Sequence, residues 1–139
     1  MRWVAALVLA ATFPAAAQDY EREKRWAAEI VPNLVVEVTD GAIQEWELDP
    51  RSLGIYPSSP GELTGGSATE NADAVRRVLG GEPGGRRDAV ILNAGAALVA
   101  AGLATDVGEG VEMAAAAIDS GAAVATLERL VAFSNEVTV

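Results

Sequence analysis

The chain contains no cysteine and no histidine. Without cysteine there is neither a disulfide framework nor a thiolate metal site. Without histidine the usual general base and the commonest neutral metal ligand are gone. A Ser-His-Asp triad, a Cys-His pair and a zinc site built on histidine are therefore excluded. No G-x-S-x-G elbow is present either, which removes the α/β-hydrolase reading of an exported enzyme. Positive charge is scarce: ten Lys and Arg stand against twenty Asp and Glu, for a net charge of −10. That balance repels nucleic-acid backbone and anionic lipid surfaces, so no nucleic acid is an expected partner. Aromatic residues are few, and alanine supplies much of the hydrophobic half of the sequence. Small side chains bury little area each, so such a core must be built by close approach of helices. The 139 residues suffice for one domain of modest core.

The first residues, MRWVAALVLAATFPAAAQ, read as an export leader covering residues 1–17. Arg2 gives a positive start, Val4 to Phe13 form a short apolar stretch, and Ala15-Ala16-Ala17 offer a small-x-small cleavage site before Gln18. The stretch is shorter than the roughly 20 residues needed to span a bilayer, so no membrane span is expected. A working leader would make the product periplasmic or exported; the alternative is a buried N-terminal helix in a cytoplasmic protein. Residues 18–33 are expected to form a short amphipathic helix and linker, ended by Pro32.

Residues 34–139 form the third segment. LVVEVTDGAIQEWEL, residues 34–48, reads as a β-hairpin turning at Asp40-Gly41, with Trp46 and Leu48 covering one face of its half-exposed second strand. Glu45 and Glu47 are two carboxylates without a third ligand, and solvation is the simpler reading of them. Asp49-Pro50 predicts a turn or one helical turn closing at Leu53-Gly54. Residues 55–66, rich in Pro and Gly, are expected as irregular loop. Gly65-Gly66 there suggest either an anion cradle or simple flexibility. Ser67-x-x-Glu70 is a capping box that opens a helix to Leu79, with Ala72, Val75 and Leu79 inward, Val78 beside them, and Arg76 and Arg77 outward. With Arg86 and Arg87 these arginines form a basic concentration, diluted by Asp73, Glu82 and Asp88.

RRDAVILNAGAALVAAG, residues 86–102, predicts a central helix from Asp88 to Gly102, greasy on nearly every side. Gly95 would admit a close neighbour, and Asn93 would be a buried polar group bonded to a loop backbone or, alternatively, to a ligand. A helix capped by Asp106 should run through Met113 and Ile118 to Ser120-Gly121. A last helix from Ala123 carries Leu127, Leu130, Val131 and Phe133 and frays at Ser134-Asn135. The short connections predict antiparallel packing of adjacent helices.

Three motifs then accumulate in order: GG-x(4)-NA at Gly65, Gly66, Asn71 and Ala72; RD-x(3)-LNAGAAL at Arg87, Asp88 and Leu92 to Leu98; and AIDSG at Ala117 to Gly121, followed by LVAFSN. Together they resemble the C-terminal end of anthranilate phosphoribosyltransferases, over about residues 35–136. The resemblance implies an α+β segment, one β-hairpin followed by four to five packed helices, cut from the α/β lobe of a phosphoribosyltransferase. It implies an activity in tryptophan biosynthesis, the transfer of ribose phosphate from phosphoribosyl pyrophosphate to anthranilate, with magnesium in the complete enzyme and a homodimeric assembly. The family's GTGGD pyrophosphate loop, its anthranilate-binding arginine and its magnesium-holding Asp-Glu pair have no counterpart in this sequence. No catalytic, substrate-binding or metal-binding residue is therefore carried over, and no cofactor is expected for this chain. The leading expectation is an inactive segment; the alternatives are a small exported binding or interaction protein, and a transferase completed by a partner chain. Phosphoribosyl pyrophosphate and anthranilate are expected partners only in that last case. Apolar patches on the helix over residues 88–101 would favour self-association.

Overall fold

The computed structural model describes residues 5–8, 33–39 and 41–136. Most of the expected leader, and the short helix expected ahead of the hairpin, lie outside the described residues.

The hairpin forms where alternation and Gly41 require it. Strand β2 (Asn33–Thr39) pairs antiparallel with β3 (Ala42–Leu48), Val35 facing Trp46 and Val38 facing Ile43. Gly41 turns the chain at φ +80°, a left-handed value that a side chain resists. One face of the hairpin is sequestered: Val35 is buried, and Trp46 and Leu48 pack against the core. The other face leaves Leu34 and Ile43 exposed. A third strand, β1 (Ala5–Val8), lies antiparallel along the other edge of β2. Its residues fall inside the segment expected as a leader, and the sheet order is β1-β2-β3.

A single 3-10 turn, Pro50–Leu53, follows, with Asp49 accepting from the Arg51 backbone N–H and Gly54 closing it at φ +74°. Five helices come next: α1 (Pro60–Leu63), α2 (Ala68–Leu79), α3 (Gly85–Ala100), α4 (Val107–Asp119) and α5 (Ala122–Glu136). The architecture is thus α+β, a hairpin followed by five helices.

The core collects Ile55, Ile91, Val107, Val111, Ala114 and Ile118, with Trp46, Leu48, Leu53 and Leu79 packed around them. It lies between the inner face of the hairpin and the facing sides of α3 and α4. Helices α3 and α4 run antiparallel, because Gly95 meets Gly110 while Arg87, earlier in α3, meets Asp119, later in α4.

Several local expectations need correction. The loop over residues 55–66 contains the helical turn α1. Helix α3 begins at Gly85, not Asp88, because Gly84 at φ +130° supplies the N-cap conformation. On α2 Val78 is buried and Ala72 and Leu79 are half-buried, but Val75, expected inward with them, is 46% exposed. Asn93 is exposed, and its Nδ2 donates to Ala89 O one turn back at 2.7 Å. The expected bond to a loop backbone is therefore replaced by one within the helix. Helix α5 continues through Ser134-Asn135 to Glu136. It is not antiparallel to α4: the two are related by a bend of 65° at their short junction. None of its residues is buried, and Leu130, Val131 and Phe133 are all exposed. The exposed apolar surface of the helices is thus concentrated on α5 more than on α3. No helix among the described residues is long and apolar enough to cross a membrane; only the bent pair α4–α5 has the length and composition together.

Candidate functional site

The three sequence motifs come together at one end of the helical layer, where the loop before α2, the start of α3 and the end of α4 meet. Ser67 caps α2: its Oγ accepts from the Glu70 N–H, and the Glu70 carboxylate accepts from the Ser67 N–H at 2.8 Å and hydroxyl at 2.7 Å. These bonds favour the charged form, so the Glu70 carboxyl is held below its ordinary pKa, chiefly by the Ser67 side chain.

Asn71, one residue further on, grips the Gly66 peptide from both sides. The Gly66 N–H donates to Asn71 Oδ1 at 2.8 Å, and Asn71 Nδ2 donates to Gly66 O at 2.9 Å. The Gly66 peptide is thus held within the chain on both its N–H and its carbonyl side. A Cβ on Gly65 would lie 3.3 Å from Asn71 Oδ1, and one on Gly66 would lie 2.6 Å from a Glu70 carboxylate oxygen. The side chains of Glu70 and Asn71 fold back over both glycines. Arg86, at the start of α3, extends this arrangement by donating to Thr64 O at 3.0 Å.

Arg87 has a different partner. Its Nη1 and Nη2 donate to the two carboxylate oxygens of Asp119 at 2.8 and 3.0 Å, a bidentate pair across 32 residues of sequence. Only 14% of the Arg87 side chain is exposed, against 60% of Asp119. The pair holds the Asp119 carboxyl below its ordinary pKa, mainly through the Arg87 hydrogen bonds, and raises that of Arg87. Asp119 ends α4, where the helix dipole disfavours a carboxylate, so the guanidinium offsets an unfavourable position. Gly81, in the loop after α2, has room for a Cβ only 3.9 Å from Asp119 Oδ1. Arg87 thus ties the beginning of α3 to the end of α4 beside the end of α2.

Beside this junction a shallow cavity of about 130 Å³ is lined by Glu62, Arg77, Val78, Glu82 and residues 83–87. The lining mixes both signs of charge, and its arginines are engaged: Arg77 pairs with Glu82 at 3.3 Å, Arg86 with Thr64 and Arg87 with Asp119. Every cationic side chain among the described residues has a partner within the chain, Arg51 on Asp49, Arg76 on Asp73 and Arg129 on Thr126 completing the set. Glu45 and Glu47 stand exposed on β3. Among the described residues no group of three side chains could hold a metal ion. The arrangement is suited to holding three helices and a loop in register.

Motif spacing alone could not show that Arg87 and Asp119 meet, since the contact depends on how α3 and α4 pack. The one available signal was Asp119 at the C-terminal end of an α-helix, a place where a carboxylate calls for a cation.

A segment of mixed α and β structure whose helices are locked by these motifs defines the class. The chain belongs to the glycosyl transferase family, a/b domain, whose family model matches residues 25–124. It is 53% identical over 104 residues to the anthranilate phosphoribosyltransferase of Methylobacterium nodulans, a match covering 75% of this chain and 31% of that protein. Identity to the anthranilate phosphoribosyltransferase of Maricaulis maris is 50% over 101 residues, covering 73% of this chain and 30% of that one. The crystal structure of anthranilate phosphoribosyltransferase from Thermus thermophilus superposes with a TM-score of 0.63 at 40% identity, over 76% of this chain and 32% of that chain. The chain spans about a third of the length of the curated relatives it matches.

Proposed function

We propose that the hairpin and helices form the rear wall of an anthranilate phosphoribosyltransferase lobe, behind the site where ribose phosphate passes from phosphoribosyl pyrophosphate to anthranilate. The observation that carries this reading is the 40% identity kept with the solved Thermus enzyme over three quarters of this chain, at one third of that enzyme's length. What this chain's residues do is positional. Asn71, Arg86 and the Arg87–Asp119 pair fix the loop and three helix ends that back the site.

Alone, the chain neither binds the sugar diphosphate nor transfers it. Gripping a pyrophosphate needs preorganised donors aimed at the anion, and the described arginines are committed to partners of their own. Magnesium does not fit either, because the described residues offer no set of ligands for it, and no step is derived through it. The test adds phosphoribosyl pyrophosphate, magnesium and anthranilate to the purified chain. The anthranilate fluorescence should stay constant, and titration calorimetry should show no heat at micromolar ligand. A falling fluorescence signal would overturn the reading.

Residues 1–17 we read as an export leader, supported by Arg2, the apolar stretch after it and the alanines at 15–17. N-terminal sequencing after bacterial expression decides: a product beginning at Gln18 supports export, one beginning at Met1 refutes it. Residues 5–8 cannot serve as a leader's apolar stretch and as strand β1 in the same molecule at the same time.

A further inference from the structure

Four residues of this chain answer to two structural demands. Ala5–Val8 form β1, paired antiparallel with Val35–Val38 of β2, Leu7 standing opposite Val36 and Ala5 opposite Val38. β1 borders α3 as well, so it touches both the sheet and the helical layer. Val35, the register partner of Val8, is buried at 5% exposure. The same Ala5–Val8 belong to the apolar stretch Val4–Phe13 of the leader reading. Backbone groups of an apolar segment entering a bilayer must be satisfied within the segment, which makes it helical. As β1 the segment is instead extended and paired across to β2. A molecule with β1 in place therefore has no apolar stretch to offer to a membrane. Yet β1 is only four residues long and lies at the edge of the sheet. Edge pairing of that kind opens locally at low cost, while the rest of the fold stays intact.

We propose that β1 is a retention contact: its pairing with β2 withholds residues 1–17 from export, and only molecules in which β1 has come away are exported and cleaved. This rests on the reading of residues 1–17 as a leader and adds to it a control set by the chain's own fold. Two forms of the protein follow. The chain that begins at Met1 carries the three-stranded sheet, whereas the chain that begins at Gln18 has lost β1 and keeps β2 and β3 alone. The strength of the β1–β2 pairing thus sets how the protein divides between the two forms. Strand and leader also make separable demands on the sequence. Branched residues in Ala5–Val8 strengthen a strand, and greater apolarity strengthens a leader. Replacing alanine there by valine does both, so its effect on processing shows which demand governs.

The experiment follows the full chain in bacteria by pulse-chase, reading the half-time for conversion of the Met1 form to the Gln18 form. Val36→Lys leaves residues 1–17 untouched. It sets a cation opposite Glu45 of β3, which favours that pair, while AALV of β1 offers no charge to meet it. Its half-time should be shorter than that of the wild type. Ala5→Val/Ala6→Val should lengthen the half-time, although its leader is the more apolar one. Ile43→Lys, at a 68% exposed position of β3 on the far side of β2 from β1, should keep the wild-type value. Circular dichroism of each purified variant checks that the helices persist; should Val36→Lys lose them, Val38→Lys is read by the same criteria. Equal half-times in all variants overturn the proposal and leave the leader reading standing. Faster processing of Ala5→Val/Ala6→Val does the same, as does an Ile43→Lys chain processed as fast as Val36→Lys. If no variant is ever cleaved before Gln18, the leader reading fails and the proposal falls with it.

Discussion

Gly95 of α3 and Gly110 of α4 meet backbone to backbone: a Cβ on Gly110 would stand 2.9 Å from the Cα of Gly95, and one on Gly95 would stand 2.7 Å from the Val111 nitrogen. Neither obstacle is a flexible side-chain end that could swing away. This contact sets the spacing of the two helices that enclose the core. Gly95→Ala should gain about 1 kcal/mol of helix propensity and lose more, because overpacking typically costs roughly 1–3 kcal/mol and here the clash is with backbone. Chemical denaturation should therefore show net destabilisation for Gly95→Ala and for Gly110→Ala. An alanine variant as stable as the wild type would mean that α3 and α4 can separate without loss.

The Arg87–Asp119 pair allows a sharper experiment than deletion. Arg87 lies in the first turn of α3 and Asp119 is the last residue of α4, so each charge opposes its own helix dipole. Arg87→Asp or Asp119→Arg alone should lower the thermal midpoint, since each sets like charges together. The double swap recreates an opposed pair and places both charges favourably on the dipoles. It should regain most of the loss, and a double-mutant cycle measures the coupling. If the double variant is merely the sum of its parts, the two side chains do not act as a pair.

These two contacts show where reading the sequence stops. The hairpin was legible because Asp-Gly turns and strand alternation are local, and so were the Ser67 and Asp106 caps, where a side chain reaches three residues along. Gly95 was legible as a close-approach point, though Gly110, its counterpart, was not, because which faces meet depends on packing between helices. Asn93 was misread for a related reason. A greasy surround suggested burial, but one side of α3 stays exposed and a carbonyl one turn back satisfies the amide. Helix α1 and the Gly84 cap escaped because Pro and Gly signal a break in pattern without saying what replaces it. The partnering of the arginines could be suspected from the interspersed acids, yet only the fold says which acid each one meets.

The carboxylates define the response to acid. Glu70, Glu109 and Asp119 are all held below their ordinary pKa, by Ser67, Thr105 and Arg87 respectively. A folded-state pKa below the unfolded value stabilises the protein fully above the unfolded value, and that stabilisation is lost as pH falls through the folded one. Stability should thus be flat near neutrality and decline below about pH 4, the ordinary carboxylate range. Asp119→Asn should flatten part of that decline, measured by thermal unfolding at successive pH values. An unchanged acid limb in that variant would show that Asp119 contributes nothing to it.

Asn71 should matter more for local order than its exposure suggests. Asn71→Ala removes both bonds to the Gly66 peptide, and at about 1 kcal/mol net for such a bond the loss should be measurable though not disabling. The distinguishing readout is hydrogen exchange at the Gly66 amide, which should speed up in Asn71→Ala. Asn71→Asp keeps the acceptor and loses the donor, so the Gly66 amide should remain protected while the loop still loosens at the carbonyl. Equal exchange in both variants would mean that the Gly66 amide draws its protection from elsewhere.

Helix α5 provides a contrast to the glycine contact. Leu130 and Phe133 are 62% and 66% exposed, with no buried residue anywhere on the helix. Side chains that give up little water-exposed area on folding contribute little to stability, whatever their hydrophobicity. Leu130→Ser and Phe133→Ser should therefore shift the unfolding free energy by no more than about 0.5 kcal/mol, while Ile118→Ser on the buried face of α4 should cost several times more. Denaturation midpoints of the three variants, compared at equal slope, make the comparison. A large loss from Phe133→Ser would mean that this end of α5 is packed in solution against something the described residues do not include.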